Sequence, residues 1–352
     1  MILKELSEAF GPSGHEREVR ELILKAIQGY VDSYQVDALG NLIALKRSSQ
    51  PAVSGHKPLK IMVSAHMDEV GIMVTHADKE GLLHFEVVGG LEARVLLAQP
   101  VVLGDERLPG VIGLKPIHLQ ERGEREKLPK VSDLTIDTGA TGQEEAEKAA
   151  PKGTYGTFAT SFAELSGELR TVKGKAFDDR AGCAVLVELL KADYPFDLWA
   201  AFTVQEELGL RGARVAAFRV EPDMAFSLEG TICDDLPKEK DQSPTTKLGE
   251  GPAITLRDRS VVCDPRLIQH LVEVAEAEGI PYQFKQPGVG GTDAGAIHLV
   301  KEGVPSAVVS VPSRYIHSPV SLLSRVDFEN TVRLVQAALS RLPESLSWPP
   351  VP

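Results

Sequence analysis

A short apolar run that ends in histidine and aspartate constrains the fold of this chain more than any other segment. Residues 59–65 include five apolar residues in seven, interrupted only by Lys60 and Ser64. A nearly continuous run of this kind is typical of a buried strand in a sheet covered on both faces. His66 and Asp68 follow at the carboxyl end, where ligands bind in open α/β sheets. Such a pair suits a metal ligand with a supporting carboxylate and also, more commonly, a satisfied core pair.

The length and composition of the chain describe a large, acidic, globular protein. Its 352 residues exceed what a single hydrophobic core usually supports, which indicates two domains or one domain with a large insertion. Hydrophobic residues make up 43% and charged residues 25%, as in ordinary globular proteins. The formal net charge of −12 argues against nucleic acids and anionic membranes as partners, because these are bound through clustered lysine and arginine.

The N-terminus and the cysteines predict a cytoplasmic protein. The first residues lack the pattern of a secretory signal, and no apolar run reaches membrane-spanning length. Cys183, Cys233 and Cys263 are widely spaced and form no Cys-x-x-Cys pair, so we expect reduced, structural thiols. A local role for Cys233 stays open, because it lies close to a candidate site residue.

The order of the elements predicts an α/β domain interrupted by a β-rich insertion. Ser13 and Glu16 have the spacing of a capping box, so the first helix should begin near Ser13. Residues 71–161 contain short apolar segments separated by Gly, Pro and Asp turns, which is typical of a small β-barrel or sandwich. Residues 1–70 and 162–352 would form the α/β domain. Its later helices are predicted at 180–191, after Asp264 and after Asp327.

Acidic residues and histidines follow several of the predicted strands. Asp178 and Asp179 begin an Ala- and Gly-rich helix, where adjacent aspartates commonly serve only as caps. Glu206 and Glu207 follow the strand DLWAAFTV, and their side chains diverge, so one can bind metal while the other faces substrate. Two later strands end in the same way, at Glu229 and at His317. This repetition favours one shared site at an edge of the sheet.

Six motifs in this order are similar to those of a known enzyme family. They are AHMDEVG, KAFDDRAG, QEELGLRGA, SLEGT, GVGGTDAGAIHL and SRYIHSPV. Together they resemble the M42 family of dinuclear metallo-aminopeptidases, which includes tetrahedral and glutamyl aminopeptidases and members labelled endoglucanase. The resemblance runs over nearly the whole chain. It implies a mixed-sheet α/β catalytic domain of the dinuclear zinc aminopeptidase type with a small β-barrel-like insertion.

The resemblance also implies a metal centre with two divalent ions. Asp178 would bridge both ions, with His66 and Glu229 completing one site and Glu207 and His317 the other. Zinc is the expected metal, with cobalt or manganese as alternatives. Two such ions would lower the pKa of a water to roughly 7 and stabilise the oxyanion formed when an amide is attacked.

The resemblance also implies roles for two residues that are not ligands, and this sequence differs from the family pattern at two positions. Glu206 would act as general base, and Asp68 would orient His66. Glu229 stands where many relatives have aspartate, which puts the geometry or metal preference in doubt. Ser321 stands where relatives commonly have glutamate, which leaves the contacts behind His317 open.

The implied substrates are short peptides, cleaved at the first residue, and the implied assembly is a dimer and a hollow dodecamer formed through the insertion. A glycoside hydrolase is an alternative, although the chain has only Trp199 and Trp348 to offer as sugar-binding platforms. A non-catalytic metal-binding protein is another, against which the complete ligand set counts.

Two segments remain ambiguous from sequence. Residues 288–293, GVGGTD, lack the lysine and spacing of a phosphate-binding loop, and either shape the pocket for the first side chain or form a tight turn before a helix at 293–300. Arg257 and Arg259 would favour an acidic side chain in the substrate if they reach the site, and are otherwise simply solvated.

Overall fold

The computed structural model describes residues 2–49, 59–236 and 244–342. The strands are β1 (Ser33–Val36), β2 (Leu42–Lys46), β3 (Lys60–His66), β4 (Gly71–Ala77), β5 (Leu83–Val88), β6 (Pro100–Leu103), β7 (Leu108–Gly113), β8 (Thr135–Asp137), β9 (Tyr155–Phe158), β10 (Ala163–Glu164), β11 (Thr171–Gly174), β12 (Asp197–Thr203), β13 (Met224–Ile232), β14 (Ala253–Thr255), β15 (Gln283–Lys285), β16 (Ser306–Arg314) and β17 (Ser321–Ser324).

The helices are α1 (Ile2–Glu8), α2 (Arg17–Ile27), α3 (Ala93–Leu96), α4 (Arg122–Arg125), α5 (Gln143–Ala149), α6 (Phe177–Leu189), α7 (Arg211–Val220), α8 (Pro265–Glu278), α9 (Ala294–Ile297) and α10 (Arg325–Ser340). None of the helices in the described ranges is both long enough and apolar enough to cross a membrane.

The predicted α/β class with a β-barrel insertion is confirmed. Eleven strands form one mixed sheet in the order β1-β2-β12-β3-β13-β16-β17-β11-β10, with β14 and β15 attached beside β16. Strands β4 to β9 close a separate barrel in the order β4-β5-β8-β7-β6-β9. The barrel thus occupies the chain between β3 and β10. The boundaries 71–161 for a separate domain remain a prediction.

The sheet is covered on both faces, as the apolar run of β3 predicted. The larger core cluster contains residues of α1, α2, α6, α8 and α10 against one face. A smaller cluster joins the other face to α7 and α9. Strand β3 is buried along its length except at Lys60, and it lies parallel to β12 and β13. Parallel neighbours bring their carboxyl ends to one edge, and this arrangement positions the site.

Two helix predictions need correction. The chain begins with α1 at Ile2, and the next helix begins at Arg17 rather than near Ser13. The capping box does not form because its groups have other partners: the Ser13 hydroxyl donates to Asp68 Oδ2 at 2.6 Å, and Glu16 Oε1 accepts from the amides of Gly14 at 2.6 Å and Gln205 at 3.3 Å.

The helix expected at 293–300 is the single turn α9, Ala294–Ile297. The helices expected at 180–191 and after Asp264 are present as α6 and α8. The closing helix α10 begins at Arg325, slightly before Asp327. All three cysteines are buried and free. Trp348 and most of the loop before β3 lie outside the described residues.

Candidate metal centre

The carboxyl ends of parallel strands bring the acidic residues and histidines of the sequence prediction together. His66 is the last residue of β3 and pairs with Thr203 at the end of β12, three residues before Glu206. Glu229 lies in β13, which pairs with β3 on one side and with β16 on the other. His317 follows β16. All these strands run parallel, so their polar ends converge at one edge of the sheet.

Asp178 and Asp179 divide two tasks at the start of α6. Neither has helical dihedral angles, and the peptide bond between them is cis. The carboxylate of Asp179 accepts from the amides of Gly182 at 2.9 Å and His66 at 3.1 Å, so it caps the helix and ties it to β3. Asp178 is free to face the other strand ends. The capping role expected of adjacent aspartates therefore belongs to Asp179 alone.

Two groups of three side chains share Asp178. In the first group, His66 Nε2 lies 3.3 Å from Asp178 Oδ1 and 3.7 Å from Glu229 Oε2. In the second, His317 Nε2 lies 3.5 Å from Asp178 Oδ2 and 3.4 Å from Glu207 Oε2. Within each group the ligand atoms lie within 4.8 Å of one another. Each oxygen of Asp178 thus faces a different group.

The charges of the two groups fit bound cations. Burial, together with neighbouring carboxylates, raises the pKa of Glu229 and of Glu206 well above the usual range. Burial and the charge of Asp178 raise the pKa of Glu207 to about 7, although His317 opposes this. Carboxylates crowded at this depth repel one another until a positive charge lies between them. Imidazole and carboxylate donors suit Zn²⁺, and the same donors also accept other divalent ions.

The same crowding also raises the pKa of both histidines, because the surrounding carboxylates favour the charged imidazole. Burial by itself lowers the pKa of His66, but the charge of Glu206 and a hydrogen bond with Asp178 raise it overall. His317 behaves alike: despite burial, Asp178 and Glu207 raise its pKa to about 10. Protons on these imidazoles take the place that a metal ion would fill, and metal binding would release them.

Glu206 and Glu207 diverge as adjacent residues were expected to do. Glu207 joins the second group, whereas Glu206 Oε2 lies 3.8 Å from His66 Nε2, beside the first. The carboxyl of Glu206 therefore lies close to the first group and is a member of neither.

Asp68 organises more of the site than the sequence indicated. The hydrogen-bonded partner of His66 Nδ1 is the backbone carbonyl of Asp68 at 3.2 Å, and the Asp68 carboxylate lies 3.5 Å away. That carboxylate accepts from the amides of Glu206 at 3.0 Å and Glu207 at 3.2 Å, as well as from Ser13. Asp68 therefore positions the loop that carries both glutamates in addition to supporting His66.

The two groups open into a cavity of about 680 Å³. Its walls come from the glutamate loop, the end of β13, the loops before α9 and after β14, and the segment after β16. The lining residues are Asp178, Glu206, Glu207, Gly209, Leu210, Glu229, Gly230, Thr231, Ile232, Arg259, Lys285, Gly290, Gly291, Thr292, Tyr315, Ile316 and His317. Residues 290–292 thus form part of the wall, and Arg259 reaches it, whereas Arg257 does not.

The side chains at the two positions that differ from the family pattern, Glu229 and Ser321, are both hydrogen-bonded to the backbone. The longer side chain of Glu229 accepts from the amide of Asp293 at 3.1 Å while its other oxygen faces His66. Ser321 is buried, and its hydroxyl donates to the carbonyl of Gly174 at 3.5 Å.

Sequence reasoning missed three buried residues around the site. Glu16 holds the amide of Gln205, the residue before the two glutamates, and burial raises its pKa to about 7. Asp293 accepts from the hydroxyl of Thr203 at 2.5 Å. Lys285 lines the cavity from β15.

Comparison with known families identifies the class of protein that has this fold and these ligand groups. The family model described as M42 glutamyl aminopeptidase matches residues 40–334. The chain therefore belongs to the M42 peptidase family, which supports a peptidase function.

Individual relatives match over almost their full length. The lysyl aminopeptidase of Pyrococcus furiosus is 35% identical over 97% of this chain and 96% of its own. The structure of a TET aminopeptidase from the archaeon Thaumarchaeota archaeon SCGC AB-539-E09 has a TM-score of 0.90 and 39% identity, covering 97% of this chain and 96% of that one. The TET1 peptidase of Pyrococcus horikoshii, which assembles into a tetrahedron or a large octahedral shell, has a TM-score of 0.83 and 34% identity, covering 97% and 98%.

Proposed function

We propose that this chain is a metal-dependent aminopeptidase that removes N-terminal residues from short peptides with the help of two divalent metal ions. The observation that carries the proposal is the carboxylate of Asp178, which faces one complete ligand group with each oxygen. His66 and Glu229 would complete one metal site, and Glu207 and His317 the other. Zinc fits these donors best, with cobalt and manganese as alternatives.

The bound ions would supply Lewis acidity, which polarises the scissile carbonyl and lowers the pKa of a water. The protein's own residues then handle the protons. Glu206 stands beside the first group, in a buried position that raises its pKa well above the usual range of a carboxyl group, as suits a general base. It takes a proton from the attacking water and delivers it to the leaving amine. Asp68 holds Glu206 in place through the backbone amide.

The proposed metal centre favours a free N-terminus. The charges of two divalent ions would offset the carboxylates of Asp178, Glu206, Glu207 and Glu229, which line the cavity. A peptide's free α-amine would bind one of the ions, which would place the first peptide bond beside Glu206. Acetylation removes both the charge and the basicity of that amine. In N-acetylated peptides the amine should therefore no longer bind, and the first peptide bond should no longer be positioned beside Glu206.

One experiment separates this function from its alternatives. Free and N-acetylated forms of one peptide are incubated with the metal-loaded protein, and the products are identified by mass spectrometry. We expect release of single residues from the free form and no change in the acetylated form. Internal cleavage of the acetylated peptide, or release of reducing sugar from carboxymethylcellulose that Glu206→Gln abolishes, would overturn the aminopeptidase assignment. Rates with Zn²⁺, Co²⁺ and Mn²⁺ after removal of all metal identify the preferred ion.

We also propose that the protein assembles through the barrel, into dimers and a hollow dodecamer. The proposal rests on the related TET1 peptidase and on exposed apolar side chains of the insertion, Val111, Leu119 and Leu128, of which the last two are 68% and 70% exposed. Charged substitutions at Val111 and Leu128 should reduce the particle mass measured by light scattering. A monomer of the unaltered chain at micromolar concentration would contradict assembly.

A further inference from the structure

An open groove leads from the second ligand group toward the barrel. It encloses about 620 Å³ and shares Tyr315, Ile316 and His317 with the cavity described above. Beyond these three residues the two spaces have different walls. The cavity extends toward residues 290–292, whereas the groove extends along residues 318–320 and along the barrel segment 90–99. The groove therefore continues the cavity on its barrel side, starting at His317.

Both walls of the groove are held in place by the fold. On one wall, the Thr160 hydroxyl donates to the carbonyl of Pro319 at 2.7 Å. His317 Nδ1 lies 3.0 Å from the carbonyl of Gly90 and so joins this wall to the barrel. On the other wall, helix α3 is anchored by Leu96, which is fully buried in the barrel core. A groove that is formed in advance loses little conformational entropy when a ligand binds.

The exposed lining of the groove is mainly apolar. Tyr315 and Val320 are 47% and 38% exposed on one wall, and Val95 is half-buried on the other. The charged side chains of the barrel wall, Glu92 and Arg94, form an ion pair with each other, so this wall favours neither sign of charge. Apolar groups of a ligand would gain by covering such a surface.

The length of the wall sets how much of a peptide the groove can hold. Val320 is three residues after His317, so their Cα atoms are at most about 11 Å apart. An extended peptide covers this distance with about three residues. A free N-terminus in the cavity would place the first peptide bond at the metal centre. The residues along the groove would then be the second, third and fourth of the substrate.

We propose that the groove binds the second to fourth residues of peptide substrates and favours apolar side chains among them. The inference rests on the proposed aminopeptidase function and names its substrate class: unblocked peptides of about four residues or more, in preference to dipeptides. Binding energy from these distant residues would help to hold the first peptide bond in the reactive position and would thereby raise kcat/KM.

The test compares two tetrapeptide amides that share their first two residues and end in Leu-Leu or in Gly-Gly. The amide ends leave no terminal carboxylate in either substrate. Fully burying one leucine side chain corresponds to a factor of roughly 10 to 100. Since an open groove covers each leucine only in part, we expect kcat/KM for release of the first residue to favour the Leu-Leu peptide by about 10-fold or more.

Variants on both walls connect this preference to the groove. Val320→Asp and Val95→Asp should each bring the ratio of the two kcat/KM values close to unity, because a carboxylate then faces the leucines. Val320→Leu keeps an apolar surface and should retain the preference. Val262→Asp is the matched control, because this valine is 71% exposed and lines neither the cavity nor the groove. It should leave the ratio unchanged.

The outcomes separate the groove from the proposed function. Equal kcat/KM values for the two peptides in the unaltered protein, or a preference for Leu-Leu that survives both aspartate variants, would overturn the groove and leave the aminopeptidase function standing. An unchanged ratio together with a lower particle mass of Val320→Asp in light scattering would assign this surface to a contact between copies of the chain, and the proposal would also fail.

If neither peptide is cleaved, the proposed function fails, and binding tests the groove independently. Calorimetry with the two tetrapeptide amides and the metal-loaded protein should then show tighter binding of the Leu-Leu peptide, which Val320→Asp abolishes. Equal affinities for the two peptides would overturn the proposed groove as well.

Discussion

The two ligand groups share Asp178 but are built in different ways. His66 ends a central strand, its side chain is 1% exposed, and its other ring nitrogen contacts the backbone of Asp68. His317 lies in the segment after β16 with a positive φ of 55°, and its side chain is 38% exposed. Its other ring nitrogen contacts the carbonyl of Gly90, which follows barrel strand β5, at 3.0 Å. The first group is therefore part of the sheet, whereas the second depends on a contact with the insertion.

This difference indicates that the two proposed metal sites would retain their ions unequally. A ligand fixed by a buried strand loses little freedom when a metal binds, and water reaches it with difficulty. A ligand in an exposed segment is reached more easily by water and by competing chelators. We therefore expect the first site to hold its ion more persistently and the second to exchange with solvent more readily. The following predictions test whether the two sites differ in metal retention and whether Asp178 links the two ligand groups.

The largest effect is expected for Asp178→Ala, which removes a ligand from both groups at once. Both ions should be lost, and hydrolysis of an aminoacyl-p-nitroanilide should fall by more than about 1,000-fold, beyond the loss of one electrostatic donor. Metal content by plasma mass spectrometry and initial rates measure this. Asp179→Asn, which keeps an acceptor for the amide of Gly182 and loses only the one for the amide of His66, is the comparison and should retain more metal than Asp178→Ala. Two ions per chain in Asp178→Ala would show that the groups are independent.

The next effect is expected for Glu206→Gln, which should leave both groups filled. A neutral amide cannot take the proton of the attacking water, so the rate should fall by roughly 100- to 10,000-fold. Metal content and rate are measured on the same sample. Full activity in a variant that holds both ions would remove Glu206 from the mechanism, and loss of one ion would make it a ligand of the first group.

A smaller effect is expected for Asp68→Asn, because Asp68 supports both sides. Its carboxylate accepts from the amides of Glu206 and Glu207, and an asparagine side chain can accept with only one end. Metal affinity or activity should fall by about 10- to 100-fold, the usual scale for residues behind a metal ligand. Ser13→Ala removes only one donor to Asp68 and should have a weaker effect. If Asp68→Asn and Ser13→Ala lowered metal affinity or activity equally, the loss would come from the hydrogen bond between the Ser13 hydroxyl and Asp68.

The smallest effect concerns the rate of metal release. Dilute chelator should remove the ions of the unaltered protein in two phases, with the exposed second site emptied first. His317→Ala should abolish the fast phase and retain the slow one. Release is followed by a zinc-sensitive dye. A single phase for the unaltered protein would contradict the inequality drawn from the two histidines.

Sequence patterns succeeded where the signal was local and failed where the partner was distant. The apolar run of β3 predicted a buried strand and placed His66 at its end, and both features are present. The capping pattern at Ser13 and Glu16 was equally local, yet it was wrong because Asp68 and Gln205 compete for the same side chains. Lys285 was overlooked because a three-residue strand gives too short a pattern to reveal its environment.

The sequence alone determined which residue types stand at the ends of strands, because strand periodicity and polarity are written in consecutive residues. The order β12-β3-β13-β16, which makes neighbours of Glu206, His66, Glu229 and His317, arises only in the folded sheet. The same holds for the division of tasks between Asp178 and Asp179. Side-chain direction depends on strand register and on tertiary hydrogen bonds between residues far apart in the chain, and only packing decides these.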